Sequence, residues 1–176
     1  MRNAKQWFGI ILGMVMLFLL TGCAPGPTPG PTPSPTPGEM EKDFTLPTVE
    51  DESFTLGDHL GRPIVLSFFV PACGGCQQQI PHLNSIHEKY KDTENLLVLG
   101  VGVGTMQRIA SYVAQRGIEY TAVVDETQDV ARDYGVSSVP RTFFVNRLGQ
   151  IVSSSQDGRT TALTLEELEQ YLQEIL

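Results

Sequence analysis

Ser67-Phe68-Phe69-Val70-Pro71-Ala72-Cys73-Gly74-Gly75-Cys76, followed by Gln77 to Pro81, decides how this 176-residue chain is read. The run Ile64 to Val70 is short, apolar and rich in β-formers, and turn formers bound it, so it predicts a buried strand. The chain turns at Pro71 and then predicts a helix from Cys73 to Lys89. Cys73 therefore stands at a helix N-terminus, where unpaired backbone N–H groups and the macrodipole favour negative charge. A thiolate is negative and a thiol is not, so this position favours the reactive form of Cys73. Cys76 follows one helical turn later on the same face, within reach of a disulfide with Cys73. The pair reads as a disulfide-exchange site.

Strands and helices alternate outward from this stretch. Asp43 to Leu56 alternates apolar and polar residues around Glu50-Asp51-Glu52 and predicts a β-hairpin. Asn95 to Val103 predicts a second buried strand, Met106 to Arg116 a helix closed by Gly117, and Tyr120 to Val124 a short strand. Asp129 to Tyr134 predicts a short helix capped by Gly135, and Thr142 to Asn146 with Gln150 to Ser154 a hairpin. Thr164 to Leu176 predicts a final amphipathic helix opened by a Thr164/Glu167 capping box. This order predicts an α/β domain over 39–176, a central mixed sheet flanked by helices on both faces, with an added N-terminal hairpin. Gly100, Gly102 and Gly104 lack the spacing of a dinucleotide fingerprint and read as a strand end.

The N-terminal segment is of another kind. Met1 to Lys5 is positively charged and Trp7 to Leu20 is apolar, shorter than the ~20 residues of a membrane span and suited to a secretory signal. It ends in Leu20-Thr21-Gly22-Cys23, which resembles the lipobox of bacterial lipoproteins. The resemblance implies cleavage after residue 22 and lipid attachment at Cys23, hence an extracytoplasmic protein anchored to a bacterial membrane. An ordinary signal peptide with an incidental Cys23 is the other reading. Pro25 to Gly38 has proline at nearly every second position, which removes donors and fixes φ. Residues 23–38 are then the lipidated cysteine and a linker, whose stretch 25–38 is a spacer of roughly 40 Å at about 3.1 Å per residue, or has no length requirement. The formal net charge is −8, and only Arg2 and Lys5 charge the segment before Cys23. An acidic domain without a basic cluster argues against nucleic acid and against electrostatic binding to anionic lipid.

The element order and the motif together resemble the thioredoxin superfamily, specifically its membrane-anchored TlpA/ResA-like thiol-disulfide oxidoreductases. The resemblance runs from Asp43 to Leu176. It is carried by Asp43-Phe44-Thr45-Leu46-Pro47, by Leu60 to Leu66, by Cys73-Gly-Gly-Cys76 with Pro81 five residues on, and by Val139-Pro140-Arg141-Thr142 and Gly149 to Val152. It implies that Pro140 is a cis-proline opposite the cysteines, and that the Val139 backbone pairs with an extended substrate segment. A cis bond is nearly confined to X-Pro. Three positions depart from the pattern: Ala72 stands where tryptophan is common, Ser67 where a buried Asp or Asn is frequent, and Gln79 where many TlpA-like proteins carry Glu. A carboxylate could accept the proton of Cys76; Ser67 and Gln79 can only hydrogen-bond.

The chemistry expected of the pair is attack by the Cys73 thiolate on a substrate disulfide and resolution of the mixed disulfide by Cys76, a reductase serving cytochrome maturation or disulfide repair; run backwards, the same steps insert disulfides. Gly74 and Gly75 would leave the reduced loop flexible. The partners expected are protein thiols and disulfides. Relatives of this type also draw electrons from a membrane thiol transporter and serve cytochrome maturation. The domain reads as a monomer without a cofactor. Two alternatives come from other chemistries. A peroxiredoxin-type peroxidase would use Pro71 and Arg141 around the cysteine, but lacks the expected Thr between Pro71 and Cys73. A copper or zinc chaperone would add His82 to the pair, whereas structural zinc takes four ligands and the domain has no third cysteine. No metal site is expected.

Overall fold

The computed structural model describes residues 42–155 and 158–176. The signal segment, Cys23 and the proline-rich spacer lie outside these residues. Two short strands open the fold, β1 (Thr45–Pro47) and β2 (Ser53–Thr55), paired antiparallel as the hairpin predicted. After a 3-10 turn over Leu56–His59 comes β3 (Ile64–Phe69), and then α1 (Gly74–Tyr90), β4 (Leu97–Val103) and α2 (Met106–Arg116). The chain continues through β5 (Thr121–Asp125), α3 (Asp129–Asp133), β6 (Arg141–Val145), β7 (Ile151–Ser154) and α4 (Leu165–Leu172).

The main sheet has the order β5-β4-β3-β6-β7. β3 lies at its centre, parallel to β4 and antiparallel to β6, and all six of its residues are buried. Burial on both faces explains why β3 reads as a continuous apolar run. Its even-numbered residues, Leu66 and Phe68, pack with Leu99, Val101, Phe143 and Tyr134 against the hairpin and α3. The odd-numbered ones face the other way. Val65 meets Leu83 and Ile86 of α1 and Leu168 and Leu172 of α4, while Phe69 meets Cys76, Ile80 and Ile109. Consecutive parallel strands β3, β4 and β5 joined by right-handed crossovers place α1 and α2 on that same face. The hairpin also continues along the sheet edge, where Val49 N–H donates to the Ala122 carbonyl at 3.1 Å and Thr48 bridges to Val123.

Local chemistry fixes the ends of the elements that carry the site. α3 closes in a Schellman arrangement: Val136 N–H returns to the Ala131 carbonyl at 2.8 Å and Gly135 N–H to Arg132 at 2.9 Å. Gly135 supplies the left-handed φ of 61° that this closure needs. The capping box of α4 forms in both directions between Thr164 and Glu167. α4 ends at Leu172, four residues before the predicted stop at Leu176. The tail tightens into i−3 bonds at Glu174 and Ile175, which keeps Ile175 buried without a continuing α-helix.

Candidate functional site

β3 ends in Val70 and Pro71, and the turn delivers Cys73 as the N-cap of α1, with φ −88° and ψ 113°. Its sulfur accepts the Cys76 backbone N–H at 3.0 Å, the contact a capping oxygen would make. Gln77 secures the turn by donating from its side-chain amide to the Pro71 carbonyl at 3.3 Å. Cys73 and Cys76 form a disulfide, with their Cα atoms 5.2 Å apart. The two sulfurs differ in access: Cys73 is half-buried, whereas Cys76 is 3% exposed among Phe69, Ile80 and Ile109. The Val139–Pro140 bond is cis, and the Val139 carbonyl lies 3.5 Å from Cys73 Sγ. The structure therefore brings Cys73, Cys76, Val139 and Pro140 together.

Beneath the pair lies a buried cluster of uncharged polar groups. Gln79, 1% exposed, is one turn beyond Cys76. Its amide nitrogen donates to Thr142 Oγ1 at 2.9 Å and to Ser67 Oγ at 3.4 Å, and its oxygen accepts Leu163 N–H at 3.0 Å. The Ser67 and Thr142 hydroxyls are 3.2 Å apart, and Thr142 N–H donates to Ser155 Oγ at 2.9 Å. One amide thus ties α1 to β3, to β6 two residues after Pro140, and to the segment before α4. The buried carboxylate Asp125 is not part of this cluster; its Oδ2 accepts Ala131 N–H at 2.9 Å on the α3 side of the sheet.

The segment Gly158–Leu163 forms one wall of the site. Gly158 N–H donates to Ser138 Oγ at 3.0 Å, beside the cis-proline, and the Leu163 carbonyl accepts His82 Nδ1–H at 2.9 Å. Arg159 clamps the segment through both oxygens of Glu167, at 2.9 and 3.0 Å, and through the Ala162 carbonyl. The Arg159 hydrogen bonds, followed by the Thr164 backbone N–H, hold the Glu167 carboxyl below its usual range. The clamp is thus in place at neutral pH and is lost as pH falls through that lowered value. Gly75 faces this wall. A Cβ there would overlap the Thr160 carbonyl oxygen and come within 3.2 Å of Pro140 Cδ, whereas Gly74 has open space around it. The two glycines thus differ: Gly75 is required by close backbone packing, and Gly74 is not.

The remaining residues weighed in the sequence fall elsewhere. His82 is spent on Leu163, and among the described residues no three His, Cys, Asp or Glu side chains group as metal ligands. Strand alternation puts Arg141 with Phe143, on the face opposite Thr142 and Gln79, and its guanidinium lies 4.9 Å over the Phe143 ring. Thr142, Leu163 and the Thr160 carbonyl were not singled out in the sequence, because two are backbone groups and the third is an ordinary strand threonine.

The AhpC/TSA family model matches residues 37–154. The chain belongs to the AhpC/TSA family. The thiol-disulfide oxidoreductase ResA of Geobacillus thermodenitrificans is 27% identical over 139 residues, which span 78% of this chain and 77% of the relative. ResA of Halalkalibacterium halodurans is 28% identical over 136 residues, 75% of each chain. Among solved structures, a Chlorobium tepidum protein assigned as the thiol:disulfide interchange protein DsbE superposes with a TM-score of 0.73 at 28% identity, covering 81% of this chain and 99% of its own. StoA from Bacillus subtilis, at 18% identity and a TM-score of 0.63, covers 77% of this chain and 99% of its own and shares the fold. These matches place the chain with TlpA/ResA-like members of the thioredoxin superfamily.

Two substitutions test this architecture. Gly75→Ala pushes Thr160 away at a cost of about 1–3 kcal/mol, and amide hydrogen exchange at Gly158 and Leu163 should accelerate; unchanged exchange would show that the wall does not rest on Gly75. Gln79→Ala leaves buried Leu163 N–H unpartnered and removes the amide's bonds to Thr142 and Ser67, and should lower stability in urea by about 1–3 kcal/mol. A loss within error of zero would contradict its role as the link between four elements.

Proposed function

We propose that this chain is an extracytoplasmic thiol-disulfide oxidoreductase in which Cys73 is the nucleophile and Cys76 the resolving cysteine. The observation that carries the assignment is the inequality of the two sulfurs. The accessible one caps a helix beside a cis-proline, and its partner is buried one turn further in. In the reduced protein the helix N-terminus favours the Cys73 thiolate. That thiolate attacks one sulfur of a substrate disulfide; the other leaves as a thiolate and takes up a proton. Cys76 then loses its proton and attacks Cys73 Sγ, which releases the second substrate thiol and restores the enzyme disulfide. Two electrons and two protons pass to the substrate, and a thiol donor must return the enzyme to its reduced form. A membrane thiol transporter fits that role, since the anchor keeps the domain near the bilayer.

Proton removal from Cys76 has no neighbouring carboxylate in this chain, because Gln79 and Ser67 are both neutral and already bonded to each other and to Thr142. Water reaching the site as the substrate thiol departs is the acceptor that the neutral cluster leaves. Val139 pairs through its backbone with the substrate segment, and Pro140 forms the floor beneath it. The peroxidase reading gains nothing from Arg141, whose guanidinium is stacked on Phe143.

Residues 1–22 serve as the signal, Cys23 carries the lipid, and 23–38 space the domain over 39–176 from the membrane surface. The support is the apolar run ending at Leu20-Thr21-Gly22-Cys23 and the alternation of proline behind it.

Insulin reduction with a thiol donor tests the cysteines. Cys73→Ser should abolish turnover and trap no substrate, while Cys76→Ser should accumulate mixed disulfides; equal activity of the two variants would refute the division of labour. The anchor is tested by fractionating cells that express the full chain. The parent should sediment with membranes and Cys23→Ser should be released in soluble form, and an unchanged distribution would remove the lipid from the account.

A further inference from the structure

A cleft of about 660 Å³ lies at the end of the sheet opposite the cysteines, where β3, β4 and β5 begin. The six residues of β3 separate it from the turn that carries Cys73, roughly 20 Å at about 3.3 Å per residue. Arg62, just ahead of β3, lines the cleft and is half-buried. Its Nε donates to the Asn95 carbonyl at 2.8 Å, which fixes the guanidinium and leaves the two terminal nitrogens for another partner. Among the described residues no carboxylate stands within ion-pair distance of it. Partial burial lowers the Arg62 pKa from its usual value, yet the group stays charged. The other basic residues of the lining are engaged or neutral. Lys91 pairs with Glu88 at 2.6 Å, and His59 stacks on Phe54 with ring centroids 4.5 Å apart. Burial and then Lys91 lower the His87 pKa, so that ring is uncharged at neutral pH. We propose that this cleft binds a small organic acid, a single carboxylate on an apolar body, with the carboxylate seated on the Arg62 guanidinium.

Each part of the ligand follows from a part of the lining. A half-buried guanidinium without an anion has lost hydration for no return, and its planar fork matches a carboxylate through two parallel N–H···O bonds. Leu97, Val113, Ile118 and Tyr120 add apolar surface for the body. The volume falls within the range of about 300–1,000 Å³ of sites for whole small molecules. The rim limits the charge. Glu50, Glu52 and Glu119 are exposed, so water and salt screen them from one carboxylate deeper in the cleft, but they oppose a ligand with several negative groups. Two sources share this chemistry, a straight acyl chain freed from lipid and a soluble aromatic acid. The site stands apart from the exchange reaction and does not rest on it.

Full-length protein in dodecylmaltoside micelles, with empty micelles as the blank, is titrated with octanoate and with 4-phenylbutanoate, and binding is read by saturation-transfer NMR of the ligand. The parent should bind at least one of them with a Kd of about 1 mM or tighter, the range open to ligands of this size. Tighter binding of octanoate assigns the lipid-derived source and tighter binding of 4-phenylbutanoate the soluble one; either supports the site. The uncharged 4-phenylbutanamide should bind at least about tenfold more weakly than its acid, and Arg62→Gln should weaken the acid by a similar factor. Thr121→Phe narrows the cleft from β5 with a residue suited to a strand, leaves Arg62 in place and should weaken both acids. Thermal unfolding establishes that each variant is folded, and if Arg62→Gln is not, Thr121→Phe and the amide decide. A parent that binds neither acid, an amide that binds as tightly as the acid, or binding that both variants leave unchanged overturns the proposal.

Discussion

The sulfur of Cys73 takes the place of a capping oxygen, and the turn from β3 into α1 is arranged to put it there. The contact is made from the Cys76 backbone N–H, so the second cysteine of the pair also fixes the geometry of the first. This requires α1 to start at a fixed distance from the sheet. That distance is set by the burial of all of β3 and by Leu83 and Ile86, which seat the helix on Val65 and Phe144. A helix N-terminus stabilises an anion over only its first turn, so displacement by a few residues would leave the sulfur without the field.

Gln79 converts that packing into alignment of the whole site. α1 bears the cysteines, β6 follows the cis-proline, and the segment before α4 forms a wall, yet these pieces are distant in sequence. A single buried amide, with both N–H groups donating and its oxygen accepting once, holds them in register. Buried polar groups are stabilising only when satisfied, and here the same partners that satisfy Gln79 are those whose relative position matters for exchange. The neutrality of the cluster has a chemical consequence as well. No ionisable group within it competes with Cys73 for negative charge, and the helix terminus acts on the thiolate without an opposing buried carboxylate.

Much of this was legible in the sequence, because the legible parts are local. The apolar run of β3, the C-x-x-C spacing, the Thr164/Glu167 box and Gly135 each act within a few residues, so their patterns survive in one dimension. The end of α4 was not legible: no glycine or proline marks it, and the tail stays buried through Ile175 while its bonding changes. The Gly75 contact was hidden for a different reason. The Thr160 carbonyl is a backbone group far along the chain, and no side-chain pattern announces where a carbonyl will come to rest. Gln79 and Ser67 were visible as departures from a family pattern, but their common partner Thr142 could be found only once β3 and β6 were aligned at Ser67 and Thr142.

The two sides of Cys73 are built differently. On one side Gly158–Leu163 presents carbonyls and amides, pinned by Arg159, His82 and Gln79 and pressed against Gly75 with no room for a side chain. On the other, Val70, Val103, Ala131, Val136 and Val139 line a small cleft together with Gln128, Ser137 and Ser138. The second of the two glycines between the cysteines and the short helix α3 therefore shape the surroundings of one sulfur from different elements: Gly75 lets the polar wall close in, and the Schellman closure fixes Val136 in the lining of the cleft.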